Sequence, residues 1–172
     1  MAGRKPSGDA RTSTRPGRKA RVVTRQTLRR KRDAEDHTIT VPVLAPGADP
    51  GRTIPSPMAI RDRLVIDSRL VEDYDPGRLF AYDVTARDLV FLRGLASVGD
   101  RIVFRRGGRV APDRICAVRT SSGVALARVE FQGHSLLLLP GEGMRDAKPL
   151  RLENFEGLAG AIAGTHVLLI RR

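Results

Sequence analysis

The pattern of apolar and polar positions changes abruptly along the chain. Residues 1–20, MAGRKPSGDARTSTRPGRKA, carry almost no side chains that a core would bury, so this stretch is expected to be disordered. Residues 21–36 add Val22, Val23 and Leu28, enough for one or two helical turns but not for a packed face. The segment is also too short for a helix-turn-helix built around its own core. Regular patterning starts at Thr38. Thr38–Leu44, TITVPVL, is β-branched and predicts a strand, placed at a sheet edge by Pro42. Residues 45–57 contain four prolines and two glycines and predict a loop. In Met58–Val71 the apolar Ile60, Leu64, Val65 and Leu70 are mixed with charges, which predicts one short helix. Asp75-Pro76-Gly77 predicts a turn.

Beyond that turn the pattern is β. Leu79–Val84 predicts a strand, Asp88–Ala96 a short helix or irregular turn, and Arg101–Phe104 a strand after Gly99-Asp100. Gly107-Gly108 and Ser121-Ser122-Gly123 bracket a strand at Arg114–Arg119. In Val124–Phe131, Ala125, Ala127, Val129 and Phe131 alternate with Val124, Leu126, Arg128 and Glu130, so one face is apolar throughout. The four leucines of Ser135–Leu139 predict burial on both faces. Pro149–Leu152 and Ala161–Ile170 complete the set. Short strands at about ten-residue spacing predict a mainly β sandwich or small barrel over residues 37–172, behind a disordered tail at residues 1–36.

Charge sharpens the division. Residues 1–32 hold twelve of the 31 lysines and arginines and only one of the 19 acidic residues, Asp9. Nearly all of the net charge of +12 therefore lies in the first fifth of the chain. A solvated basic block of this kind attracts polyanions, nucleic acid first. Its candidate nucleic-acid-binding residues are Arg4, Lys5, Arg11, Arg15, Arg18, Lys19, Arg21, Arg25, Arg29, Arg30, Lys31 and Arg32. Arg15-Pro16-Gly17-Arg18-Lys19 faintly resembles an AT-hook, whose Arg-Gly-Arg core enters the minor groove, though the order differs. No aromatic residue falls in the tail, so a base-stacking platform there is not supported. Arg105, Arg106, Arg109 and Arg114 suggest a second basic patch on the domain. The bland alternative for the tail is solubilisation, or attraction to an acidic protein.

Other chemistry is sparse. Cys116 is the only cysteine, so no intrachain disulfide forms, which fits a reducing cytoplasm. In an apolar strand it reads as a small buried hydrophobe. No apolar run approaches the roughly 20 residues that span a bilayer, so no membrane partner is expected. His37, His134 and His166 are far apart and give no zinc spacing. Asp73, Asp75, Asp83, Asp88 and Asp100 gather mid-chain, where turn formation explains most of them. Ser97, Ser121, Ser122 and Ser135 lie in turns or at strand ends, where serine is ordinary. No phosphate-binding glycine loop and no cofactor signature is present.

Four segments, in order, carry a likeness. They are Asp75–Val84 leading into the turn Thr85-Ala86-Arg87-Asp88-Leu89, then Gly99-Asp100-Arg101-Ile102-Val103-Phe104, Leu126-Ala127-Arg128-Val129 and Ser135–Pro140. Over residues 38–172 this order resembles the C-terminal domain of LexA and phage repressors, a Ser–Lys self-cleaving peptidase fold. The resemblance implies a small β domain that pairs as a homodimer. It also implies a catalytically degenerate member. The serine position falls on Asp88 and the lysine position on Ala127, and no lysine occurs between Lys31 and Lys148. A Ser–Lys dyad needs a lysine able to surrender its proton, which arginine does not do. The cleavage segment, Ala-Gly in the family, reads Ala45-Pro46-Gly47 here. The expectation is a non-enzymatic, repressor-like regulator in a bacterial or phage cytoplasm, holding nucleic acid through its arm. The alternative is a module that pairs with an active repressor-type protein and modulates it.

Overall fold

The computed structural model describes residues 37–51, 55–71, 73–107, 110, 114–144, 147–153 and 158–172. Among them are nine strands: β1 (Thr38–Leu44), β2 (Ile60–Asp67), β3 (Leu79–Asp83), β4 (Arg101–Arg105), β5 (Ile115–Thr120), β6 (Gly123–Gln132), β7 (Ser135–Leu139), β8 (Leu150–Leu152) and β9 (Ile162–Ile170). Two single-turn helices, α1 (Leu89–Leu92) and α2 (Leu158–Ala161), interrupt them. The expected β architecture is therefore present.

All nine strands form one sheet in the order β2-β1-β3-β4-β9-β5-β6-β7-β8. Only the β1–β3 pair is parallel. One face gathers Leu44, Phe80, Tyr82, Ile102, Phe104, Ile115, Ala117, Leu126 and Ala163 into a single buried cluster. Side chains from β1 and β6 lie five positions apart in the sheet yet share this cluster, so the sheet curls on itself. The Val124 N–H donates to the Gly47 carbonyl (3.0 Å) and ties the end of β1 to the start of β6. The centre of this core is an aromatic trio: Phe80 stacks on Phe104 at 5.6 Å, and Tyr82 meets both edge-on. The reverse face splits into two layers. Val41, Val43, Ile66, Val71, Leu79, Ala81 and Val103 lie under the first half of the sheet. Cys116, Val118, Ala127, Val129, Leu136, Leu138, Ala161 and Ile162 lie under the second.

Several details correct the sequence reading. The helix expected over Met58–Val71 is instead β2, flanked by 3-10 turns at Pro57–Ala59 and Ser68–Val71. The apolar spacing of four between Ile60 and Leu64 mimicked a helix. In fact the register shifts between Val43 and Leu44 and leaves Arg61 unpaired. That bulge turns Ile60 to the aromatic face, while Leu64 and Ile66 stay on the reverse face. β1 is not the edge strand that Pro42 suggested, because β2 flanks it on one side and β3 on the other. The β1–β3 pairing begins only at Val43, so the missing proline N–H costs that ladder nothing. In β6, Val124 and Leu126 also pack inward, so its first half is apolar on both faces. In β7, Leu136 and Leu138 are fully buried while Leu137 and Leu139 are only partly covered.

The mid-chain aspartates act separately. Arg101, buried in β4, donates to Asp83 on the facing strand (Nε–Oδ1 2.7 Å) and to Asp62 on β2 (Nη2–Oδ2 3.2 Å). Two carboxylates thus offset the burial of one guanidinium and cross-brace three strands. Asp100 accepts the backbone N–H groups of Ser97 and Arg172, and Asp75 accepts that of Gly77.

Candidate functional site: the cleft beside Asp88

Thr85 opens the turn that leads from β3 into α1, whose N-cap position is Asp88. Asp88 Oδ2 accepts both the Thr85 N–H (2.8 Å) and the Thr85 hydroxyl (2.6 Å), while the Asp88 N–H returns to the Thr85 carbonyl (3.0 Å). These bonds close the turn over residues 85–88, and the Asp88 side chain makes no capping bond to α1 itself. Leu92 is fully buried in the aromatic-face core, and Phe91 packs against the layer of Cys116 and Leu138. Leu92 and Phe91 thus hold α1 against the sheet, and the Asp88 carboxylate is engaged with Thr85.

Ala127 is fully buried on β6, opposite Cys116 of β5. Its surroundings are the apolar layer of Val118, Val129, Leu136 and Leu138. Burial pushes the Cys116 thiol up to about 11, so this lone thiol stays protonated near neutral pH.

The Ala45–Gly51 loop is fastened at many points. Ala45 N–H donates to the Ala59 carbonyl, and Gly47 O accepts from Val124. The Tyr82 hydroxyl donates to the Ala48 carbonyl. Asp49 is gripped by Arg119 through Nε (2.9 Å) and Nη2 (3.2 Å), and Arg106 Nη2 donates to the Pro50 carbonyl (3.1 Å). Burial opposes the ionised form of Asp49. The Arg119 and Gly51 hydrogen bonds, with the charges of Arg119 and Arg106, nevertheless hold its carboxyl below its ordinary value. A depressed carboxylate stabilises the loop above the ordinary carboxylate range, and that contribution fades as pH falls through the depressed value.

Between this loop and α1 lies a cleft of about 370 Å³, lined among others by Pro46, Gly47, Thr85, Asp88, Phe91 and Ser122. The structure therefore brings together two of the three positions singled out in the sequence, Pro46-Gly47 and Asp88. It leaves Ala127 in the apolar layer, while Ala125 on the same side of β6 reaches the cleft wall. The Ser122 hydroxyl lies 3.2 Å from Thr120 Oγ1 and 3.4 Å from Arg87 Nη2, and among the described residues no lysine or histidine lines the cleft to act as its base. The buried Ser135 hydroxyl accepts from Arg151 (Nε 3.0 Å, Nη2 2.9 Å), and Ser97 and Ser121 are exposed. Burial and the charge of Arg114 lower the basicity of His166. Among the described residues no group of three or more His, Cys, Asp or Glu side chains is placed to hold a metal ion.

The twelve basic residues of the tail, Arg4 through Arg32, lie outside the described residues, as does Arg109. The second basic patch does not form as read. Arg106 is buried, and Arg105 lies over the Tyr74 ring at 4.9 Å, so only Arg114 of the remaining three is fully exposed. Sequence reasoning missed the Tyr82–Ala48 and Arg119–Asp49 contacts, which span 34 and 70 residues and carry no local signal. No helix among the described residues is long and apolar enough to cross a membrane. No protein-family model matches the chain, and no curated protein matches it significantly.

Proposed function

We propose that this protein is a non-enzymatic, repressor-like regulator whose basic arm binds nucleic acid and whose β domain is a catalytically degenerate relative of the LexA and phage-repressor C-terminal domain. One observation carries the nucleic-acid reading: twelve basic residues against one acidic residue in the first 32 positions. Neutralising a phosphate backbone releases counterions, which gives affinity with little sequence preference and a steep salt dependence. The loss of peptidase chemistry is supported by the three degenerate positions. The Asp88 carboxylate is taken up by Thr85 in the turn before α1, Ala127 sits in an apolar layer, and the proline-bearing loop is fastened in place. A homodimer would present two arms and gain avidity. A bacterial or phage cytoplasm, at the nucleoid, is the setting this reading implies.

The test is DNA binding by the full chain and by residues 37–172, titrated at two salt concentrations. The full chain is expected to bind any duplex, weakening about tenfold or more over a fourfold rise in salt, and residues 37–172 are expected not to bind. Equal binding by both forms, or none by either at moderate salt, overturns the arm as a DNA element. Incubation at alkaline pH is expected to leave the chain intact on a denaturing gel. A fragment cut near Ala45 would overturn the non-enzymatic reading.

A second reading, pairing with a repressor-type protein, has its own observation. Met58, Val65 and Leu70 are exposed on and around β2, one of the two edge strands of the sheet. An unpaired edge with exposed apolar side chains offers itself to another chain. Co-purification of such a partner, lost in Val65→Lys, would support it.

A further inference from the structure

β1 flanks β2 on one side only, and the other side of β2 is an edge of the sheet. The ladder with β1 fixes which backbone groups face that edge. The Ser68 N–H donates to the His37 carbonyl, and the register from there runs unbroken through Thr38↔Asp67, Thr40↔Val65 and Pro42↔Arg63. Hydrogen-bonded and non-hydrogen-bonded pairs alternate along an antiparallel ladder, so these three pairs are the non-hydrogen-bonded ones, as the missing N–H of Pro42 requires. Arg63, Val65 and Asp67 therefore turn their N–H and C=O groups off the edge. The Arg63 N–H is met there by Asp62 Oδ1 of its own strand (2.7 Å). Among the described residues no other strand pairs with this side of β2. The three side chains share one face, because Leu64 and Ile66 between them pack into the reverse layer. Val65, in the middle, is 63% exposed, with a positive charge two positions before it and a negative charge two positions after it.

We propose that β2 pairs antiparallel with β2 of a second copy of this chain, about a two-fold axis at Val65. In that register Val65 lies against Val65 of the second copy, and Arg63 of each copy lies opposite Asp67 of the other. The facing residues are the ones whose backbone groups point off the edge, so the pair also forms ladder hydrogen bonds, the Arg63 N–H exchanging its Asp62 oxygen for the Asp67 carbonyl of the second copy. No other two-fold register matches as well. An axis at Arg63 or Asp67 opposes like charges, and an axis at Leu64 or Ile66 sets Val65 against a charged residue. Charges on an edge strand ordinarily keep copies apart, whereas their order here makes the strand complementary to itself. Asp67 already accepts from Arg69 through N, Nε and Nη2. A carboxylate accepts about four hydrogen bonds, which leaves a place for a second guanidinium. The same axis brings the exposed Leu70 of one copy towards the end of β2 where the exposed Met58 of the other stands. A different protein at this edge, the second reading above, would not need the strand to match itself. The inference does not rest on the nucleic-acid reading, since the arm takes no part in it.

The experiment is sedimentation equilibrium of the full chain, freed of nucleic acid by nuclease. Three paired positions a side make a small interface, so a monomer–dimer equilibrium with Kd of about 1–100 μM is expected. Val65→Lys sets two ammonium groups against each other on the axis, and Arg63→Asp sets a carboxylate against Asp67 of the second copy. Each is expected to weaken the dimer at least about tenfold with the melting temperature unchanged, since both positions are exposed. Adding Asp67→Arg to Arg63→Asp is expected to recover part of that loss. If the double variant does not fold, the Val65 variants decide. Val65→Cys reads the register directly. Hydrogen-bonded partners stand about 5.5 Å apart at Cα, within disulfide reach, so a mild oxidant is expected to give a covalent dimer on a non-reducing gel. Val98→Cys, at an exposed position away from β2, is expected to give none. A chain still monomeric at ~500 μM, an assembly larger than a dimer, a dimer unaltered by Val65→Lys, or no cross-link through Val65→Cys overturns the proposal. A monomer that still binds DNA would sink this inference and leave the arm's role standing.

Discussion

Phe80→Ala is expected to destabilise the β domain by about 3–5 kcal/mol and to lower its melting temperature by about 10–20 °C. The ring is fully buried, stacked on Phe104 and edge-on to Tyr82, at the centre of the curled sheet. Gly164 of β9 lies directly against it: a Cβ added there would come within 2.6 Å of Phe80 Cζ. The site is thus packed on every side. Its neighbours are strand residues fixed by ladders, which cannot collapse into the space a ring leaves. The Arg106 guanidinium would also lose the aromatic face beneath it. Thermal unfolding followed by circular dichroism measures the loss. Phe131→Ala is the control, since that ring is 40% exposed, and a change within about 1 kcal/mol is expected. Equal effects of the two substitutions would show that the aromatic trio is not the centre of the core.

Gly123→Val is expected to cost about 2–4 kcal/mol and to release the Ala45–Gly51 loop. Gly123 has φ +115°, where a side chain is strained, and a Cβ would meet the Gly47 carbonyl oxygen at 2.4 Å. The carbonyl must move, which breaks its hydrogen bond from Val124 and unties β1 from β6. Limited proteolysis is expected to cut within residues 45–51 before the domain unfolds globally. Gly133→Ala separates strain from collision. Its φ is +60° with nothing within 4 Å, so only the left-handed backbone cost of about 1–2 kcal/mol is expected. A Gly123 variant no worse than the Gly133 variant, with an uncut loop, would show that this junction does not hold the loop.

The β character of residues 38–170 and most strand positions were legible because alternation of apolar and polar side chains is a local property. Leu79–Asp83, Arg101–Arg105, Ser135–Leu139 and Ile162–Ile170 fall within a residue of their expected limits. The helix expected over Met58–Val71 failed because a single bulge at Arg61 shifts which face each side chain meets, and a bulge depends on the partner strand. Arg106 illustrates the same limit. In sequence it is one of a basic group, whereas in the fold it is buried beside carbonyls of Pro50 and Gly77, 56 and 29 residues away.

The sequence by itself determined three things: the concentration of charge in the first 32 residues, the succession of short strands, and the absence of any lysine between Lys31 and Lys148. Each is a matter of composition or of neighbouring positions, so no fold is needed to read it. The tertiary structure alone decided the surroundings of Asp88, Ala127 and the Pro46-Gly47 loop, and the burial of Arg106 against the Pro50 and Gly77 carbonyls. Those depend on the curling of one sheet, which places β1 against β6. Curling is set by packing among residues far apart in the chain, and no local pattern encodes it.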